Sequence, residues 1–207
     1  MGKGTRDNKT EKAILTAARK VFTHKGYAAA RMEDIAKEAG INRALLHYYF
    51  RSKDRMFDLV FEERIREFFS GLAGIVLGKL PLMDKIKAIV NHDIDMISAQ
   101  PDLPIFIMQE LTQNPERMIS LAQDAGMNPG MAMKSFEKQV KEAADKKLIR
   151  RTDGGQLLIN VMSLAVYPFM AKPMIKAVQG LDDSQFDRMM KKRKHEVADF
   201  IINAIKP

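Results

Sequence analysis

Residues 31–50 read RMEDIAKEAGINRALLHYYF, and this stretch decides the fold of the N-terminal part of the chain. Its first half carries apolar residues at i, i+3, i+4 and i+7, the spacing of one helix face: Met32, Ile35, Ala36 and Ala39. Gly40 lets the backbone reverse sharply, and Asn42 can cap a further helix. The pattern predicts two short helices, 31–39 and 43–49, joined by a tight turn, which is a helix-turn-helix.

The second of these helices carries side chains suited to DNA on its outer face. If Ile41 and Leu46 pack it onto the first helix, four residues remain outside: Arg43, Ala44, His47 and Tyr48. A short helix that presents Arg with small and aromatic side chains can enter the major groove. We expect Phe50 to pack in the core, whereas Tyr49 suits the core and the DNA surface equally.

Helical spacing continues on both sides of this motif. A first helix is predicted from Asn8, which can cap it, to Gly26, which can end it. A long fourth helix is capped by Ser52 and closed by Leu80-Pro81. Proline and glycine then divide the chain into further helices at about 82–98, 102–113, 115–124, 129–147, 153–178 and 183–205. No stretch alternates as a strand does, so the fold class is all-α.

Basic residues are concentrated in the first quarter of the 207-residue chain. Residues 1–55 contain 13 Lys and Arg against 6 Asp and Glu, a net charge of +7, whereas residues 56–207 carry +1. A basic module on a nearly neutral body favours a polyanionic partner, and a solvated charged N-terminus is the alternative. The chain has no cysteine, no apolar leader and no apolar stretch of spanning length, so we expect a cytoplasmic protein without a membrane partner.

Several residues at fixed spacing make the segment 26–54 resemble the DNA-binding domain of the tetracycline-repressor (TetR) family. The matching elements are Gly26-Tyr27, Asp34-Ile35-Ala36, Ala39-Gly40-Ile41, Leu46-His47-Tyr48-Tyr49-Phe50 and Ser52-Lys53-Asp54. The resemblance covers about residues 10–60. It implies an N-terminal three-helix helix-turn-helix DNA-binding domain, 1–52, and a larger helical domain for ligand sensing and dimerisation, 53–207.

Individual DNA contacts follow from this layout. Arg43, near the start of the recognition helix, is suited to bridge O6 and N7 of a guanine, and Lys53 is suited to hold a phosphate with the amides at the start of the fourth helix. The whole set of expected DNA-binding residues is Arg31, Asn42, Arg43, Ala44, His47, Tyr48, Tyr49 and Lys53.

Two places depart from the pattern of the family. Ala30 and Arg31 stand where the family usually has hydroxyl residues, so the second helix must be capped by another group, and Arg31 can replace a phosphate contact. Asn42 and His47 stand where the family commonly has Ser and Tyr. Asn caps a helix as well as Ser, and an imidazole still donates to phosphate.

The C-terminal part is expected to dimerise and to bind a small apolar effector. The stretch LLINVMSLAVYPF, residues 157–169, is apolar nearly all round and must be buried against something. The resemblance implies that the last two long helices pair with their copies in a second subunit. Many of the 15 methionines lie in this part, and flexible thioethers suit an adaptable pocket. The pocket candidates are Phe106, Met108, Tyr167 and Phe169.

Two polar clusters have a second interpretation. His92, Asp93 and Asp95 have the chemistry of metal ligands, but adjacent helical residues point apart, so a solvated surface is favoured over a metal site. The basic run 191–195 is favoured as the charged face of an amphipathic helix over a second contact with nucleic acid or membrane. No zinc-binding motif, phosphate loop or nucleophile elbow is present, so neither an enzyme nor a cofactor is expected.

These observations predict a sequence-specific transcription regulator, a repressor, that binds a palindromic operator in double-stranded DNA as a homodimer. Its DNA binding is expected to respond to an unidentified small-molecule effector. The rival hypothesis is a helical binding or scaffolding protein without sequence-specific DNA recognition.

Overall fold

The computed structural model of the protein describes residues 3–100, 103, 104, 107, 108 and 115–207, and the side chains of all of these except 3–7 and 26–28. Ten helices have both ends within these residues, with no strand among them, which confirms the predicted all-α fold. In chain order they are α1 (Lys3–Ala29), α2 (Met32–Glu38), α3 (Arg43–Tyr49), α4 (Lys53–Val76), α5 (Leu82–Ala99), α6 (Pro115–Asp124), α7 (Pro129–Asp145), α8 (Gly154–Met170), α9 (Lys172–Gln179) and α10 (Asp183–Ile205). The predicted helix over residues 102–113 falls largely outside the described residues.

The chain divides into two compact units, Met1–Ile65 and Arg66–Pro207, and the division falls inside α4. The predicted domain boundary after residue 52 coincides with the start of this helix and stays a prediction. Each unit has its own apolar interior.

The N-terminal unit packs α1, α2, α3 and the first half of α4 around aromatic side chains. The ring of Phe22 on α1 meets the ring of Phe57 on α4 edge-on, with centroids 4.9 Å apart. α1 is longer than predicted, because it begins at Lys3 and ends at Ala29, so Asn8 and Gly26 lie inside it. A glycine inside a helix costs only about 1 kcal/mol relative to alanine. Burial of the apolar face of α1 outweighs that cost.

In the C-terminal unit α5 is the central helix and packs against α8 and α10. Most of its fully or almost fully buried side chains are branched aliphatics: Ile86, Ile89, Val90, Ile94 and Ile97. α8 and α10 run antiparallel. Phe169 near the end of α8 lies against Phe186 near the start of α10, with ring centroids 6.1 Å apart. At the other end the Arg150 N–H donates to the Ile205 carbonyl at 2.9 Å.

The single helix predicted for residues 153–178 is two helices, α8 and α9, bent by 69° at Ala171. In a continuous helix the ring of Pro173 would clash with the carbonyl of Phe169, four residues earlier. Pro168 lies inside α8 and has no N–H for the carbonyl of Leu164. The guanidinium of Arg193 supplies the missing donors, with Nε at 3.2 Å and Nη2 at 3.0 Å from the Leu164 oxygen.

Among the described residues, no helix taken alone has the length and apolar composition to cross a membrane. The bent pair α8 and α9 meets both criteria only when its two helices are counted together.

The C-terminal end of α4 is held by a buried lysine. Lys85 Nζ donates to the carbonyls of Val76 at 2.6 Å and Gly78 at 3.0 Å. The last carbonyls of a helix lack partners within the helix, so an ammonium group satisfies them and complements the helix dipole. Burial lowers the pKa of Lys85. α4 therefore ends at Val76, before the Leu80-Pro81 pair that was predicted to close it.

The cluster predicted to be solvated surface is partly buried. Asp93 is completely buried and His92 is partly buried, with Asp93 Oδ1 3.4 Å from His92 Nδ1. The His92 ring lies 5.1 Å from the ring of Phe68 and so close to Gly71 that a Cβ there would overlap it. The prediction is therefore wrong for these two residues, because α5 is covered on several sides. Asp95 is exposed and pairs with Lys194. No three metal-binding side chains meet in the described part of the chain.

Asp93 predicts a specific dependence of stability on pH. Its Oδ2 has no hydrogen-bond partner among the described residues, and burial raises its pKa above the ordinary 3.8. Its contribution to stability is therefore greatest below pH 3.8 and is lost as the pH rises through the raised value. Asp93→Asn removes the charge while keeping the shape, so we expect the free energy of unfolding at pH 7 to rise by about 1–3 kcal/mol. Denaturant titrations across the pH range measure the free energy of unfolding of both proteins.

The matched control is Asp95→Asn on the same helix, whose side chain is 62% exposed. An exposed ion pair contributes at most about 1 kcal/mol, so this variant should hardly move the unfolding curve. A less stable Asp93→Asn protein at pH 7 would contradict the prediction.

Candidate nucleic-acid interface

The turn between α2 and α3 is fixed by its backbone, as the sequence predicted. Gly40 has a φ of +67°, in the left-handed region that favours glycine. The Ile41 N–H donates to the Ala36 carbonyl at 3.0 Å. Asn42 caps α3, because its Oδ1 accepts from the Leu45 N–H at 2.8 Å. These contacts set the direction in which α3 leaves the turn.

α3 is anchored through one side and presents the other to solvent. Of its seven residues only Leu46 is buried, and the four residues expected outside are exposed: Arg43, Ala44, His47 and Tyr48. Tyr48 is 76% exposed, an unusual position for a large aromatic ring. Phe50 is buried, as expected, and Tyr49 is half-buried with its ring 5.3 Å from that of Tyr48. We call Arg43, Ala44, His47 and Tyr48 the outer face of α3.

The start of α2 is capped from within the helix. Ala30 is buried, and the backbone N–H of Arg31 donates to Asp34 Oδ2 at 3.1 Å. Asp34 also pairs with Lys25 of α1 at 2.8 Å. The Lys25 ammonium, followed by the Arg31 N–H, lowers the pKa of Asp34. The start of α2 is thus held by the Asp34 carboxylate on the Arg31 N–H and not by a hydroxyl side chain, and the Arg31 side chain remains on the surface.

Lys53, expected to hold a phosphate, also has a structural contact. Its Nζ donates to the Ala30 carbonyl at 3.2 Å and ties the start of α4 to the residues before α2. Ser52 caps α4 as predicted, with its Oγ accepting from the Arg55 N–H at 3.1 Å. An ammonium group has three donors, so the contact with Ala30 is compatible with a second acceptor.

The acidic residues of α2 form ion pairs that the sequence did not predict. Glu38 pairs with Lys20 at 3.1 Å, and Asp34 with Lys25, so these two face α1. Glu33 pairs instead with Arg43, the first residue of α3, with its Oε1 2.9 Å from Arg43 Nη1. The contact crosses the turn between residues ten apart in sequence. Only the observed angle between α2 and α3 brings them together.

The four pocket candidates are not gathered into one site by the described residues. Phe106 lies outside those residues. Met108 and Tyr167 are exposed, and Phe169 is buried against Phe186. A cavity of about 450 Å³ in the C-terminal unit is lined by other residues: Ala144, Asp145, Lys147, Ile149, Arg151 and Pro207. The pocket assignment stays a prediction.

The basic run on α10 is mostly engaged within the chain. Arg193 bonds to the Leu164 carbonyl, Lys194 pairs with Asp95, and Lys192 pairs with Glu196 at 3.0 Å. These contacts agree with the interpretation as one face of an amphipathic helix.

Known proteins match part of this chain in sequence. The family model for "Bacterial regulatory proteins, tetR family" matches residues 14–60. The fatty acid metabolism regulator protein of Bacillus subtilis is 24% identical over 101 residues, 49% of this chain and 52% of that protein. The transcriptional repressor NicS of Pseudomonas putida is 32% identical over 118 residues, 57% of this chain and 47% of that protein. The matches thus span about half the length of these curated relatives.

The fold of the whole chain is also shared with solved structures. The ketosteroid transcriptional regulator KstR2 of Mycobacterium tuberculosis superimposes with a TM-score of 0.65 at 16% identity, covering 95% of each chain. The family match spans the described helix-turn-helix from Ile14 in α1 to Val60 in α4. The helix-turn-helix domain of this chain, residues 14–60, therefore matches the TetR family of bacterial regulatory proteins.

Proposed function

We propose that this protein is a transcription repressor that binds a palindromic operator in double-stranded DNA as a homodimer. Its DNA binding is modulated by a small apolar effector, and its place of action is the cytoplasm, where the DNA lies. The observation that carries the proposal is the outer face of α3. A cap and a left-handed turn orient this helix, and it exposes one arginine, one imidazole and one tyrosine on the same side.

The outer face of α3 has the chemistry for reading bases. The side chain of Arg43 is 65% exposed and stands at the start of α3, the end of a recognition helix that contacts base edges. His47 and Tyr48 can donate to phosphate or press on a thymine methyl group. The surplus of seven positive charges in residues 1–55 supplies the attraction that does not depend on base sequence.

A homodimer is supported by apolar side chains that the protomer leaves exposed. α8 buries Leu157, Val161 and Ala165 in its own unit, yet its opposite side exposes Ile159 and Tyr167. On α10, Phe200 is 65% exposed. Exposed apolar surface of this kind marks an interface, because its removal from water releases roughly 25 cal/mol per Å². Two copies are also needed for reading, since one short helix contacts only a few base pairs.

An apolar effector is supported by composition and by two of the similar proteins. The C-terminal unit is rich in methionine, whose flexible thioether adapts to varied apolar shapes. The names of two similar proteins refer to fatty acid metabolism and to ketosteroids. Fatty acids and ketosteroids are both rich in hydrocarbon. Such a ligand would act by population shift, favouring a spacing of the two α3 helices that no longer matches the operator.

The test is selection of bound sequences from random DNA, with the whole protein and two variants. The unaltered protein should select a near-palindrome. Arg43→Ala should relax the preference at one position in each half-site and cost about 1–3 kcal/mol there, because it removes a base contact. Lys53→Ala should leave the consensus unchanged, weaken binding to all sequences and reduce the salt slope by about one ion per contact.

Because Lys53 also bonds to the Ala30 carbonyl, the thermal unfolding of Lys53→Ala must be measured beside its affinity. A protein that selects no preferred sequence supports the rival, a helical binding or scaffolding protein. If Arg43→Ala weakens all sequences equally, Arg43 contacts only phosphate, and the base reader is Ala44, His47 or Tyr48.

The dimer predicts a sharp effect of one exposed residue. Phe200→Glu places a charge on α10 without disturbing the interior of the protomer, so it should convert the dimer to folded monomers. Light scattering gives the mass, and circular dichroism checks the helix content. Leu148→Glu is the matched control, an equally exposed apolar residue outside α8 and α10, and it should remain dimeric. An unchanged mass for Phe200→Glu would rule out α10 as the interface.

A further inference from the structure

The ion pair between Glu33 and Arg43 lies on the surface that the proposed function turns toward DNA. Both side chains are largely exposed, 62% for Glu33 and 65% for Arg43, and their atoms Oε1 and Nη1 are 2.9 Å apart. The other two acids of α2, Asp34 and Glu38, are engaged by lysines of α1. Glu33 alone among the three reaches across the turn to α3.

Folding stability does not account for this contact. An exposed ion pair contributes at most about 1 kcal/mol, and its two long side chains lose rotamer freedom when they are held together. A carboxylate next to the outer face of α3 also repels phosphate, which opposes nonspecific binding of DNA. A contact that hardly stabilises the fold can still affect DNA binding, because a penalty on nonspecific contacts raises selectivity.

The geometry leaves the reading edge of Arg43 available. A guanidinium has five N–H donors in a rigid plane, and the contact with Glu33 uses a donor on Nη1. The edge formed by Nε and Nη2 lies on another side of the plane and can donate to O6 and N7 of a guanine. Glu33 therefore restrains the guanidinium without blocking its two-donor edge, and this restraint reduces the entropy lost on reading a base.

We propose that Glu33 is a positioning residue for sequence recognition. It holds Arg43 in the orientation that reads a guanine and disfavours the competing arrangement in which Arg43 turns to a phosphate. The inference rests on the proposed function, because it requires that α3 enters the major groove. It predicts that removal of Glu33 raises affinity for random DNA while lowering discrimination at the base pair read by Arg43.

The test is a double-mutant cycle on the full chain, with Glu33→Ala, Arg43→Ala and the double variant. Affinities are measured for the selected operator and for operators substituted at the position that Arg43→Ala relaxes. Glu33→Ala should lower discrimination at that position about 3- to 10-fold, a fraction of a full bidentate contact. The double variant should discriminate no worse than Arg43→Ala alone, because Glu33 acts through Arg43.

Two further variants distinguish a positioning role of Glu33 from an effect of its charge and from a loss of folding. Glu33→Gln keeps an acceptor for Arg43 without the charge, so it should retain more discrimination than Glu33→Ala while gaining affinity for random DNA. Glu38→Ala removes an exposed carboxylate from the same helix and should change neither the preferred base nor its discrimination. Circular dichroism confirms that each variant is folded.

Each outcome decides between the two proposals. If Arg43→Ala alters the preferred base but Glu33→Ala leaves discrimination unchanged, the positioning role is refuted and the proposed function stands. If Glu33→Ala and Arg43→Ala lower discrimination independently, Glu33 contacts DNA itself and does not position Arg43. If the unaltered protein prefers no sequence, the proposed function fails and the positioning role fails with it.

Discussion

The left-handed backbone at Gly40 is the constraint on which the proposed recognition surface depends. α3 has seven residues, too few for a stable isolated helix, and buries only Leu46. Its orientation is therefore set by the turn, by the Ile41 N–H on the Ala36 carbonyl and by the Asn42 cap. A side chain at position 40 would be strained at a φ of +67°, and relaxing that strain would move every outward residue of α3 together.

In the C-terminal unit, α8 carries more apolar surface than its own unit buries. α5, α7 and α10 pack against α8, yet Ile159 and Tyr167 remain exposed. Pro168 also frees the Leu164 carbonyl inside this helix, and Arg193 of α10 satisfies it. The guanidinium thus links α8 and α10 through a backbone group in the least polar of the ten described helices.

The bounds of a helix could be predicted from the sequence where a local pattern determines them. The bounds of α3, α6 and α10 agree with prediction because a cap or a proline marks each start: Asn42, Pro115 and Asp182. The prediction was wrong where tertiary contacts outweigh the local sequence pattern. Gly26 does not end α1, and the burial of Asp93 depends on how many neighbours cover α5, which the charge pattern does not reveal.

In the candidate site, too, only the features set by local sequence could be predicted. Exposure of the outer face of α3 followed from helical spacing, since Leu46 had to face inward. The pair between Glu33 and Arg43 and the bond from Lys53 to Ala30 depend on angles between helices that no spacing rule supplies. Arg43 and Lys53 were identified from the sequence as DNA-binding candidates, whereas nothing in the sequence distinguished Glu33 from ordinary surface charge.

The measurement that tests the account most directly is the affinity for operators in which single guanines are replaced by 7-deazaguanine. This base lacks the N7 acceptor but pairs normally, so it removes one hydrogen bond from a bidentate arginine contact. We expect one guanine in each half-site at which the unaltered protein loses about fivefold in affinity, as for the loss of a hydrogen bond of about 1 kcal/mol. Arg43→Ala should lose nothing there. An equal loss in both proteins, or no sensitive guanine, would contradict the assignment of α3 as the helix that reads the operator through Arg43.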